Sequence, residues 1–167
     1  ADRWDEQTGG VTGAALSLQT AAAGGDQENI AQYGEIIYAV NPVVEIAQIM
    51  AESYYALGNN EKYLEFANIV ISEKGVADAF DMSFEIYRQE VVAEAWDSAA
   101  DWAMRLAALG SAPAGVTSGE WLDMEQGFQT TIARSHYEGG RWEAAIREYQ
   151  TLAGLDRDQR AISNFYM

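Results

Sequence analysis

Cysteine is absent from the 167-residue chain, which rules out disulfides, a thiol nucleophile and a thiolate-bound metal. Histidine occurs once, at position 136, so an acid–base pair or a zinc site would have to draw its companions from carboxylates. Basic residues are scarce: ten Lys and Arg stand against 26 Asp and Glu, a net charge of −16. That balance argues against nucleic acid as a partner, because phosphate contacts need Lys and Arg, and it disfavours an anionic membrane surface. No apolar run approaches the roughly 18 residues of a membrane span. The most apolar stretches, 36–40 and 68–71, are short and read as core helix, so no direct membrane insertion is expected. Phosphate-binding glycine motifs, a nucleophile elbow and a D-x-D-x-D-G calcium loop are missing too. The glycines at 9–13 and 139–140 read as turns, since no lysine completes a phosphate cradle.

What is present suits a soluble globular chain: 49% of residues are hydrophobic, at a mean hydropathy of −0.22. The length allows one compact domain or a short solenoid. Two lysines beside eight arginines give an acidic, Lys-poor surface, which fits salty surroundings or, more plainly, a solvated acidic face. The chain opens on Ala1 rather than Met, which suits removal of a secretory signal. The expected location is periplasmic or extracellular, with the cytoplasm as the alternative.

Helical periodicity begins after a glycine-rich start. Glycines at 9, 10, 13, 24 and 25 weaken helix, so an irregular arm to about residue 12 and a short helix over 14–23 are expected. Asp26 is a candidate cap for a helix over about 27–40, with Ile30, Tyr33, Ile37 and Val40 on one face. Asn41-Pro42 stops that helix and starts another. Over 43–74, Val43, Ile46, Ala47, Met50, Tyr54 and Leu57 form one stripe, Gly58-Asn59-Asn60 a turn, and Tyr63, Phe66, Ala67 and Val70 a second stripe. A third pair spans about 80–109, with Phe84, Tyr87 and Val91 followed by Trp96, Ala99, Ala100, Ala103 and Leu106, and no glycine at its turn. The connection 110–119 contains Pro113, and Ser118 is a cap candidate for the next helix. The last pair joins Trp121, Met124, Phe128, Ile132, Ala133, His136 and Tyr137, through Gly139-Gly140, to Trp142, Ala145, Ile146, Tyr149 and Leu152.

Aromatics late in a first helix, glycine at the turn, then an aromatic, a small Ala, Ile and Tyr resemble the tetratricopeptide repeat, a helix–turn–helix unit of about 34 residues. Pro42 sits at a junction where that family commonly has proline, whereas Tyr63 stands where it usually has a small residue. The resemblance implies an all-α, TPR-like helix–turn–helix solenoid of about three repeats with an irregular N-terminal arm. It divides the chain into an arm and short helix over 1–25 and a repeat domain over 26–167. It also implies a scaffold that docks a protein or peptide, on the concave face formed by first helices. Register places Glu45, Gln48, Glu52 and Tyr55 there from one pair, and Thr130, Arg134 and Tyr137 from the last. Gln48 and Glu52 do not supply the Lys, Arg and Asn with which some members grip an acidic C-terminus.

Trp4 in the polar lead-in, and Phe165 and Tyr166 near the end of the sequence, are further docking candidates, equally on a partner or back on the array's own terminal helices, since free aromatics have little reason to be exposed. His136 falls where the family puts a packing aromatic and reads as structural. Carboxylate pairs such as Glu45/Glu52, Asp97/Asp101 and Glu120/Asp123 occur by chance among so many acids. No enzyme activity, cofactor or metal is therefore expected. A structural subunit that assembles with copies of itself, or decorates a larger complex, is the alternative; an enzyme or small-ligand binder is the third.

Overall fold

The computed structural model describes residues 2–155, with side chains described from 11 to 153. The described chain is all α, with eight helices and no strand: α1 (Asp2–Gly24), α2 (Gln27–Val40), α3 (Val44–Ala56), α4 (Asn60–Lys74), α5 (Phe80–Val92), α6 (Trp96–Ala107), α7 (Ser118–Glu138) and α8 (Trp142–Leu155). It separates into two compact units, Ala1–Gly75 with α1–α4 and Val76–Met167 with α5–α8. Within each unit the principal helix contacts join neighbours in the chain, the pattern of stacked helical hairpins.

Four hairpin turns share one geometry. Each puts a residue in the left-handed region, at Gly25 (φ 68), Gly58 (φ 70), Glu94 (φ 54) and Gly140 (φ 69), at intervals of 33, 36 and 46 residues. In each, the next residue's N–H reaches back to a carbonyl five residues earlier: Asp26 to Ala21, Asn59 to Tyr54, Ala95 to Glu90 and Arg141 to His136. The new helix begins one residue later. This closes the C-terminal carbonyls of one helix and launches its partner in a single step. Counted from the left-handed residue, the fifth position is Ile30, Tyr63, Ala99 or Ala145, and all four are buried. Ala145 lies at 3% exposure, as its small size at a close helix contact requires.

The stretch to about residue 12, expected as an irregular arm, is helical and continuous with the helix expected over 14–23, and together they form the first helix of a fourth hairpin. α1 runs through Gly9, Gly10 and Gly13, and the boundary expected at 25/26 falls within its turn. Ala14, Leu18 and Ala21 at i, i+4 and i+7 pack with Ile30 and Ile37 of α2. Tertiary burial outweighs the roughly 1 kcal/mol that each interior glycine costs a helix. α2 and α3 approach closely at Gly34, where a Cβ would stand 2.8 Å from Met50 Cγ.

Unit 1 is stitched by polar ties as well as by Met50, Phe66 and Val70 in its core. Tyr54 of α3 donates to Glu35 Oε1 of α2 at 2.7 Å, and Lys62 of α4 meets the same oxygen at 3.2 Å. Unit 2 is built on rings: Phe80, Phe84, Tyr87, Trp121 and Phe128 form a continuous set of contacts at 5.2–6.2 Å between centroids. Its α7 begins one residue earlier than Ser118 could cap. Thr117 is the N-cap and closes a reciprocal capping box with Glu120.

Candidate functional site

The sequence-derived docking residues fall into two groups, one in each unit. In unit 1, Gln48 Oε1 accepts from Lys74 Nζ while Gln48 Nε2 donates to Glu52 Oε1 at 2.9 Å. The amide is therefore an internal brace between α3 and α4. Glu45 and Glu52 are exposed, and Tyr55 is half exposed against the buried Tyr63, with ring centroids 5.2 Å apart. In unit 2, Thr130 is exposed and donates to its own helix at the Gln126 carbonyl. Arg134 and Tyr137 belong to something larger. The side chain of Trp4, and all of Phe165 and Tyr166, lie outside the described residues.

Arg134 of α7 pairs with Glu138 one turn on. Its guanidinium carbon lies 5.3 Å from the Trp96 ring of α6 and 5.8 Å from the Tyr137 ring. Tyr137 in turn meets Trp142 of α8 edge-on, centroids 5.0 Å apart. Tyr137 is 48% exposed, Trp142 56% and Ile146, one turn further along α8, 45%. The sequence places Trp142 and Ile146 on the buried stripe of α8, together with Ala145. Only Ala145 of the three is buried, and the principal described contact of α8 is with α7. In the same way Val40 and Leu57, expected on buried stripes, are exposed near the ends of their helices. A signal for Trp142 exists in the sequence only in hindsight: it is the first residue of its helix, beyond the turn on which the preceding helix ends.

The patch lies at the turn end of both unit-2 hairpins, and a polar network fastens it. Arg141 folds back across Gly139, where a Cβ would stand 2.7 Å from its guanidinium. It donates to Asp97 Oδ1 at 3.0 Å, to the Ser135 carbonyl at 3.1 Å and, through Nε, to His136 Nδ1 at 2.9 Å. Ser135 donates its hydroxyl proton to Asp97 at 2.7 Å. That hydrogen bond first, and the Arg141 guanidinium second, hold the Asp97 carboxyl below the usual carboxylate range. Serine, histidine and aspartate thus meet here, but the imidazole nitrogen is turned to Arg141 rather than to the serine oxygen. A base–nucleophile pair needs that contact.

Elsewhere an open cleft of about 510 Å3 between α1 and α2 is lined by Leu16, Ser17, Thr20, Asp26, Asn29 and Tyr33, among others. Its Asp26 caps α2 through Asn29, and Thr20 is bonded to the Leu16 carbonyl. Among the described residues no three His, Asp or Glu side chains gather as a metal site, and no helix is long and apolar enough to cross a membrane. Neither the protein-family models nor the curated proteins give a match to this chain.

Proposed function

We propose that the chain is a non-catalytic interaction module of tetratricopeptide type that docks a protein partner on the Trp96–Arg134–Tyr137–Trp142 face. The exposure of Trp142 and Tyr137 beside a stacked arginine carries this reading. Tryptophan, tyrosine and arginine dominate binding energy at protein interfaces, and a monomer has little reason to expose them together. The left-handed turns at intervals of 33 and 36 residues support the repeat type, whose period is about 34. Pro42, which follows α2 at the end of the first hairpin, supports it as well. The orientation of His136 away from Ser135 favours the non-catalytic reading.

A photo-cross-linking residue placed at Ile146 tests the proposal, with Leu122 as control, since both positions are nearly half exposed. In extract of the source organism, one protein should be captured from 146 and not from 122, and Trp142→Ala should abolish the capture. Equal labelling from both positions would remove the docking face. The exposed Trp142–Ile146 stripe also favours assembly with copies of the same chain. In that case sedimentation would show concentration-dependent association that Trp142→Ala abolishes.

A further inference from the structure

We infer that the partner reaches this face with a basic segment, an arginine or lysine next to an apolar side chain; the inference rests on the docking reading above. The chain's own Arg134 already shows what the aromatic faces accept, since its guanidinium lies over both Trp96 and Tyr137. Trp142 continues that aromatic surface and remains 56% exposed, which leaves indole surface for a second cation and its aliphatic stem.

The rim has the matching charge. Glu94, Asp97, Glu138 and Glu143 are all exposed around the turn end of the two hairpins. Asp97 and Glu138 hold Arg141 and Arg134, while Glu94 and Glu143 form no ion pair among the described residues. Glu94 and Glu143 are therefore the rim carboxylates open to an incoming guanidinium, while Asp97 and Glu138 add to the negative field around it. Beyond the rim, residues 76–167 carry seven Lys and Arg against fifteen Asp and Glu, a net −8, within a chain of −16. That field draws a basic segment in and repels an acidic one. An acidic segment would find Arg134 and Arg141 already neutralised.

Panning a random-peptide display library against the full chain, then measuring the selected peptides in solution, tests this. The expected peptides carry Arg or Lys beside Leu, Phe or Trp, and bind on the order of tenfold more weakly to Trp142→Ala, a hot-spot-sized effect. The double variant Glu94→Gln, Glu143→Gln should weaken them several-fold and flatten their salt dependence, with unchanged circular dichroism. Selected peptides that need Trp142 but are acidic or uncharged would overturn the basic partner and leave the docking face standing. Peptides indifferent to both Trp142 and Tyr137, or no enrichment at all, would bring down both. Self-association that Trp142→Ala abolishes would make the occupant a second copy and overturn the inference as well.

Discussion

The two units use one hairpin geometry and carry the same net charge, yet they obey local rules to different degrees. In unit 1 both turns have glycine in the left-handed position, and a side chain caps the helix that follows, Asp26 onto Asn29 and Asn59 onto Lys62. In unit 2 one turn forces Glu94 into that conformation, and Ala95 offers no side-chain cap to α6. The other turn is followed by a Trp142 left in solvent. Natural sequences depart from local preference mainly where function asks for something else. Both departures lie at the same end of unit 2, beside the aromatic–arginine patch. At the hairpin turns, unit 1 follows local backbone and capping preference, and unit 2 departs from it beside its exposed aromatics.

The cores sharpen the contrast. Phe128 is 1% exposed and touches Phe84, Tyr87 and Trp121, so unit 2 hangs on it. Phe128→Ala should cost about 3–5 kcal/mol, the largest effect expected here. Hydrogen exchange should show the loss in α5–α8 while α1–α4 keep their protection. Equal loss in both units would mean that they fold as one.

Unit 1 should respond to pH through its ties. Burial, then the bond to Glu35, pushes the Tyr54 hydroxyl up to about 12, while the Tyr54 bond, ahead of Lys62, holds the Glu35 carboxyl below its ordinary 4.5. A lowered carboxyl contributes stability that is present above its ordinary value and is lost as pH falls through the folded one. A raised tyrosine contributes stability that is present below 10 and is lost as pH rises through about 12. Tyr54→Phe should therefore cost about 1 kcal/mol in the window between those limits, and less on either side. Denaturant midpoints across pH measure this; a difference independent of pH would show that the tie contributes nothing.

The smallest effect has the opposite sign. Glu94→Gly relieves a left-handed residue that has a Cβ and should raise stability by about 0.5–1 kcal/mol, seen as a higher melting temperature. A fall instead would mean that the Glu94 side chain contributes more to the fold than its strain takes away.

Much of this architecture was legible along the chain. Seven of the eight described helices follow from period-3.6 stripes, broken by Gly, Asn or Pro everywhere but at the α5–α6 turn, because those residues act locally through backbone conformation. α1 was legible only over 14–23: the glycines before that run argue against helix, yet the helix extends back to Asp2 from the segment that packs on Ile30 and Ile37. Of the candidate docking residues, Arg134 and Tyr137 lie together in the exposed aromatic cluster of unit 2. Gln48 reads as available until Lys74, 26 residues away, is seen to occupy it.

The sequence by itself determined an all-helical acidic chain punctuated by turns, since helix period, turn chemistry and net charge are properties of neighbouring residues and of their sum. The tertiary structure decided which stripes are covered. Ala145, Ile146 and Trp142 share an apolar stretch, yet only Ala145 is buried and the other two stay about half exposed. It also decided that Arg134 of α7 lies over Trp96 of α6, which are 38 positions apart. Burial and long-range contact depend on what folds back against a residue, and no local pattern encodes that.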